Sequence, residues 1–335
     1  MNAAVAMNTI LDHVADGQDL APEMARACFD HLFSGHCPPA QAGGLLLALR
    51  AKGETGLELA AAVQAALQQA RTVSGLTRPR IDTCGTGGDN KSSFNCSTVV
   101  ALYLADMGYD VVKHGNRAVS SSCGSADVVE ALGLPFAEQE NDVHSGLARS
   151  RFVFLFAPHF NPAFAKLGPI RKDLGVRTLF NLLGPLLNPA RPTHQLLGVP
   201  RSQFMQPVAD ALTLSGIQRA AVVHGAGGYD ELTPLGPNRC LVVDNGEVVR
   251  RDIDPAAFGI ATCDEAALAC RDKTEALEVV RALLQGRGPQ AMQGMLALNL
   301  GVALFLLEPE LSLDAAVARA CEAVSRGISK EVACA

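Results

Sequence analysis

With 335 residues, 48% of them hydrophobic and 19% charged, the chain is long enough for one large or two modest domains, which excludes a disordered or collagen-like polymer. A formal charge of −6 disfavours generic binding to nucleic acid or anionic membranes, so a phosphate site must gather its cations locally. The longest apolar runs, such as 44–49 and 300–307, are shorter than the roughly 18 residues of a membrane span.

The first seventy residues read as helices. Pro22 suits a first helical turn, and Met24, Ala27, Cys28 and Leu32 share one face before Gly35 ends the run. Pro38-Pro39 opens a second helix that reaches Ala51 and stops at Gly53. Thr55 and Glu58 have capping-box spacing and start an alanine-rich helix to about Arg71. Residues 73–79 read as a linker. Beyond it, strand-like runs at 81–84, 109–112, 152–156 and 219–224 alternate with helical stretches such as 98–107 and 126–132. That alternation predicts an α/β sheet with crossover helices, whose ligands gather at the carboxyl ends of the strands.

No positively charged start precedes Asp12 and Asp16, so the N-terminus lacks the pattern of a secretory signal. Ten cysteines have no C-x-x-C pair and no histidine partner at zinc-finger spacing, and are expected to be buried thiols in a reducing compartment. The expected location is cytoplasmic.

The loop after the first predicted strand holds Gly85, Gly87, Gly88, Asp89, Asn90 and Lys91, then Ser93, Asn95, Cys96, Ser97 and Thr98 ahead of an apolar helix. Glycines let backbone N–H groups approach an anion, and a helix N-terminus adds partial positive charge. Taken alone the cluster is equally a turn with an N-cap. It nearly matches a G-x-x-x-x-G-K-S nucleotide loop, but Asn90 replaces the second glycine and no later strand ends in a convincing Walker-B aspartate. The loop after the second strand carries Lys113, His114, Gly115, Asn116 and Arg117, then Ser120 and Ser121, an anion cradle with hydrogen-bonding selectivity. Residues 171–189 have a basic start, an apolar helical stretch and Gly-Pro and Asn-Pro ends. Asp230 and Glu231 follow a strand and a glycine turn, where adjacent carboxylates can hold Mg²⁺ through water and substrate oxygens or simply decorate a surface.

Together these motifs resemble the anthranilate phosphoribosyltransferase family over nearly the whole chain, most specifically at Lys113-His114-Gly115-Asn116-Arg117 and the serines behind it. The resemblance implies transfer of the phosphoribosyl group of phosphoribosyl pyrophosphate to the amine of anthranilate, with Mg²⁺, expected as two ions. It also implies a small helical domain (1–72, with a returning segment at about 165–187) and a larger α/β domain (78–164 and 188–335) with a central, mostly parallel sheet flanked by helices. A homodimer without nucleic-acid or membrane partners follows in the same way.

The residues implied to bind phosphoribosyl pyrophosphate are Gly85, Gly88, Asp89, Ser93, Asn95, Cys96, Ser97, Thr98, Lys113, His114, Gly115, Asn116, Arg117, Ala118, Val119, Ser120, Ser121 and Ser125. Gly85, Asn116 and Arg171 are implied for anthranilate, a guanidinium fork suiting a planar carboxylate. Ser97, Asp230 and Glu231 are implied for the metal. No general acid or base is assigned, because an aromatic amine is already free NH₂ at pH 7. Asn90, Cys96, Asn161, Tyr229, the region 274–276 and Leu298-Asn299-Leu300-Gly301 depart from the family's usual pattern. A relative using another aromatic amine, a pyrimidine nucleoside phosphorylase and a noncatalytic nucleic-acid-binding relative remain alternatives.

Overall fold

The computed structural model describes residues 6–117 and 124–329. Four helices come first: α1 (Met7–Ala15), α2 (Pro22–Phe33), α3 (Pro39–Lys52) and α4 (Gly56–Gln68). Proline opens both α2 and α3 at the position where a missing N–H costs nothing. At α4 the Thr55 side chain accepts from Glu58 N (3.2 Å) while Glu58 accepts from Thr55 N (2.9 Å), the reciprocal pair that its spacing predicts. Glu58 is fully buried, and the Lys52 ammonium 3.0 Å away neutralises it.

The remainder runs β1 (Arg80–Gly85), α5 (Cys96–Asp106), β2 (Asp110–Gly115), α6 (Ser125–Ala131), β3 (Phe136–Ala137), α7 (Glu140–Ser150), β4 (Phe152–Phe156), α8 (Ala157–Phe160), α9 (Ala163–Leu174), α10 (Phe180–Leu183), β5 (His194–Gly198), α11 (Met205–Leu214), β6 (Arg219–His224), β7 (Arg239–Asp244), β8 (Glu247–Arg250), α12 (Lys273–Leu284), α13 (Gln290–Leu307) and α14 (Leu313–Arg326). One eight-stranded sheet has the order β3-β4-β2-β1-β5-β6-β7-β8. Its first six strands are parallel, and β7 and β8 are antiparallel.

The sheet is covered on both faces. Along β6, Ala221 and Val223 pack with α5, α12, α13 and α14, whereas Ala220 and Val222 join α11 and the helical bundle. A near-continuous apolar strand is what such double burial requires. The bundle is seated by α4 against α11, where Gly56 lies so close that a Cβ there would stand 2.3 Å from Asp210 Cβ. Helices α9 and α10 return to pack on α3 and α4. Helix α13 has 18 residues and a mean hydropathy of 1.5, so by length and composition it could cross a membrane. It is instead the central core helix, with Leu296, Leu298, Leu300 and Leu304 fully buried.

Candidate active site

The carboxyl ends of β1, β2, β5 and β6 converge on the Asp230-Glu231 segment. Gly87 N donates to Asp230 Oδ2 at 2.8 Å. Backbone replaces side chain wherever this segment lies on the sheet. A Cβ on Gly85 would meet Asp230 Oδ2 at 2.2 Å, one on Gly198 would meet the Asp230 carbonyl oxygen at 1.4 Å, and one on Gly225 the Glu231 carbonyl oxygen at 1.9 Å. The turn around Asp89 needs left-handed backbone: Gly87 has φ 67°, Gly88 φ 82° and Asn90 φ 58°. Asparagine is one of the few residues that accept this region, so the departure at position 90 leaves the turn intact.

Glu231 is tied to the other side of the loop, its Oε1 accepting from Ser97 N at 3.0 Å at the start of α5. Asn299 holds the chain just beyond, accepting from Leu232 N (3.0 Å) and donating to Leu232 O (2.8 Å). Lys113 comes from β2 itself rather than from the loop after it, because the strand runs three residues beyond its predicted end. Its side chain is 1% exposed, and Nζ donates to Thr83 O (2.5 Å) and Ser97 Oγ (3.3 Å). Burial lowers the Lys113 pKa, while the Asp82, Glu231 and nearby thiol charges oppose that shift.

The acidic pair is electrostatically uncomfortable on its own. Burial, then the neighbouring Asp89 charge, pushes Asp230 up to about 7. Burial and the Asp230 charge push Glu231 well above the usual carboxylate range. Two half-buried carboxylates beside a serine hydroxyl form an all-oxygen donor set suited to a hard cation. Among the described residues no three carboxylate, imidazole or thiol groups close around one point, so further oxygens are needed to complete a coordination shell. Among the described residues Ser93 Oγ, in the same loop, and Thr98 Oγ1, in the first turn of α5, are buried with no hydrogen-bond partner. Such orphaned hydroxyls are uncommon in folded proteins. Cys96 instead turns into the core, its Sγ 4.0 Å from Met295 O, leaving only its backbone to face the loop. Asn95 precedes α5 without a side-chain cap.

On the β2 side, His114 is buried and neutral. Burial lowers its pKa to about 4, a hydrogen bond to the Gly184 backbone opposing the shift. Its Nε2 lies 3.1 Å from Asn161 Nδ2, and Asn161 Oδ1 is buried without a partner. Asn188 braces this strand end, donating to Asp82 Oδ2 (2.8 Å) and Val112 O (2.7 Å). Gly115 makes room for Ser125, whose Oγ would stand 2.3 Å from a Cβ there. Asn116 is exposed, and its Oδ1 accepts from Arg117 N. The Arg117 guanidinium is engaged elsewhere, in a two-pronged pair with Glu130 at 2.7 and 3.1 Å. Ala118, Val119, Ser120 and Ser121 lie outside the described residues.

Arg171 stands in the last turn of α9, not at the start of a helix; Gly175, in left-handed conformation, ends that helix and α10 begins at Phe180. Its guanidinium stacks 5.4 Å from the Phe180 ring centroid, and burial lowers its pKa. Among the described residues no carboxylate pairs with it. Six residues on, Arg177 Nη1 donates to Gly88 O at 2.6 Å, and Arg50 Nη1 of α3 holds the Arg177 carbonyl at 2.8 Å. The helical part is thereby tied to the first glycine loop. The motif reading passes over Arg177, Asn188, Asn299, Gly198 and Gly225 as positioning residues. The Gly-Pro and Asn-Pro ends around Asn188 were a visible signal, whereas nothing local marks Arg177 or Asn299.

Two family models cover the chain: the helical bundle domain of a glycosyl transferase family matches residues 8–70, and the a/b domain of a glycosyl transferase family matches residues 77–330. The anthranilate phosphoribosyltransferase of Oleidesulfovibrio alaskensis is 56% identical over 96% of this chain and 98% of its own length. That of Nitratidesulfovibrio vulgaris is 54% identical over 98% of each. The crystal structure of anthranilate phosphoribosyltransferase from Thermus thermophilus aligns with TM-score 0.87 at 38% identity, over 96% of this chain and 95% of its own. The Saccharomyces cerevisiae protein in complex with PRPP and Mg shares the fold at TM-score 0.84 and 23% identity, over 99% of this chain and 96% of its own. By these identities and by its two-part build, the chain belongs to the anthranilate phosphoribosyltransferase family.

Proposed function

We propose that the chain transfers the phosphoribosyl group of 5-phosphoribosyl 1-pyrophosphate to the amine of anthranilate, giving N-(5-phosphoribosyl)anthranilate and pyrophosphate in tryptophan biosynthesis. The observation that carries this reading is the linkage of three strand ends, Gly87 N to Asp230, Ser97 N to Glu231 and Lys113 Nζ to Ser97 Oγ, around one loop with orphaned hydroxyls at Ser93 and Thr98. A diphosphate ester supplies the acceptors those hydroxyls lack.

In the reaction, the bond from C1 to pyrophosphate breaks, a C1–N bond forms, and the amine gives up one proton to solvent. Positive charge grows on the ribose while negative charge grows on the leaving group. Lys113, the backbone N–H groups of the 85–89 loop and the start of α5 would receive that negative charge, Lys113 from a buried position at the end of β2. Arg171, stacked on Phe180 and with no carboxylate partner among the described residues, takes the anthranilate carboxylate; Asn116 and Gly85 border the amine. Their contribution is positioning. Asp230, Glu231 and the Ser97 hydroxyl would hold Mg²⁺, with substrate oxygens completing the shell, and the metal when bound neutralises the diphosphate charge. Two ions are proposed, as the family resemblance implies.

The two-domain division, a cytoplasmic location and a homodimer complete the proposal. Leu47 of α3 and Val176, each more than 40% exposed, give the helical part apolar surface for a second copy. Asn161, in place of the family's usual histidine beside His114, supports a second reading in which the amine is a substituted anthranilate. Mixing the protein with Mg²⁺, phosphoribosyl pyrophosphate and anthranilate should extinguish anthranilate fluorescence; unchanged fluorescence would overturn the assignment. Competition among substituted anthranilates decides between the two amines.

A further inference from the structure

At the end of the sheet opposite the acidic pair lies a cationic cavity of about 200 Å³, lined by the connector residues 75–78, Arg80, Asp110, His144, Leu147 and Arg151. Arg80 and Asp110 open β1 and β2, and Arg151 immediately precedes β4, so the cavity sits at the amino ends of these parallel strands. Three guanidinium groups line the cavity, and two of them share its one carboxylate. Asp110 is 7% exposed, and its Oδ1 lies 3.0 Å from Arg151 Nη1 and its Oδ2 3.4 Å from Arg78 Nε. Both carboxylate oxygens are thereby engaged.

Arg80 is the cation left over. It is half-buried, and among the described residues its guanidinium donates only to backbone carbonyls, those of Ala190 (2.8 Å), Leu76 (3.3 Å) and Arg78 (3.3 Å). Among the described residues no carboxylate lies within ion-pair distance of it. A partly buried cation normally has an anionic partner, because water is no longer there to solvate it. Guanidinium forks match the oxygens of a phosphate group. In a chain of net charge −6, a concave group of three arginines around one carboxylate is a local reversal of sign.

We propose that this cavity is a binding site for a small phosphate-class dianion, separate from the catalytic cleft, held by Arg80, Arg78 and Arg151. Because Leu76 and Arg78 belong to the connector between α4 and β1, the bound anion also fastens that connector to the sheet.

The test is methyl NMR of the full-length protein, labelled at leucine and valine and titrated with inorganic phosphate at constant ionic strength set by chloride. The Leu76 and Leu147 methyl signals should move along a saturable curve. In the Arg80→Gln/Arg151→Gln double variant the apparent affinity should fall by about ten-fold or more, the loss of a charge-assisted hydrogen bond. If removal of Arg80 prevents folding, Arg78→Gln/Arg151→Gln, altering two exposed side chains, gives the same reading. A parallel titration with ribose 5-phosphate separates the sources: tighter binding assigns a phosphomonoester, equal or weaker binding the free ion. Methyl signals that stay still at tens of millimolar phosphate, or that move equally in the variants, reduce the cavity to an adventitious ion site only and overturn the proposal.

Discussion

The backbone N–H of Ser97 donates to Glu231 Oε1 at 3.0 Å, joining the first turn of α5 to the chain leaving β6. Two elements far apart in sequence thus set the width of one anion loop. Glu231→Gln keeps the acceptor and removes the charge. It should lower kcat/KM for phosphoribosyl pyrophosphate about 100-fold, the scale of losing one preorganised electrostatic contact, and raise the Mg²⁺ concentration needed for half-maximal rate. Steady-state rates across a Mg²⁺ series check both.

Arg171 and Arg177 separate two effects of the returning helical segment. Arg171→Ala should raise KM for anthranilate about ten-fold with little change for phosphoribosyl pyrophosphate, and Arg171→Lys should restore only part of it. Arg177→Gln removes the hold on Gly88 O and should raise KM for phosphoribosyl pyrophosphate several-fold. Equal effects on both substrates in both variants would contradict the division.

Glycines at two positions should respond with opposite sign. Gly198→Ala places a Cβ 1.4 Å from the Asp230 carbonyl oxygen, and should cost about 3 kcal/mol or more along with most activity. Gly44 of α3 is exposed, has no positive φ, and a Cβ there would meet only the end of Leu11 at 4.0 Å, so Gly44→Ala should add about 0.5–1 kcal/mol. Urea unfolding midpoints measure both.

Acid should expose the buried imidazoles. Burial, aided by the Arg219 charge, lowers the His194 pKa from 6.5 to about 4. Between those values the unfolded chain binds the proton and the folded chain does not. The stabilisation is therefore complete above pH 6.5 and is lost as pH falls toward 4. The full contribution is on the order of 3 kcal/mol. Since His194 is remote from catalysis, the stability gap between wild type and His194→Gln should narrow from pH 7 to pH 4.5; a constant gap would show that its imidazole does not titrate there.

Much of this architecture is legible locally. Phe152–Phe156 and Arg219–His224 are apolar runs bounded by turns, and both become strands over the stated residues. The hairpin of β7 and β8 escaped the reading although Asn245-Gly246 announces it: both residues adopt positive φ, 46° and 95°, between valine-rich arms. Strand β5 is harder, because it begins with two polar residues, His194 and Gln195, buried between β1 and β6 with their side chains hydrogen-bonded to Thr193 and Pro185. The site divides in the same way. Glycine turns and adjacent carboxylates carry their chemistry in short motifs. Arg177 and Asn299 act across 89 and 67 positions of chain, and only folding pairs them with Gly88 and Leu232.

Asn90 gives the first glycine loop a particular character. Its left-handed turn, φ 58°, is held by a residue with far fewer backbone states than glycine. Less freedom remains to be surrendered when a ligand arrives, so the entropic cost of ordering this cradle is lower than an all-glycine turn would bear.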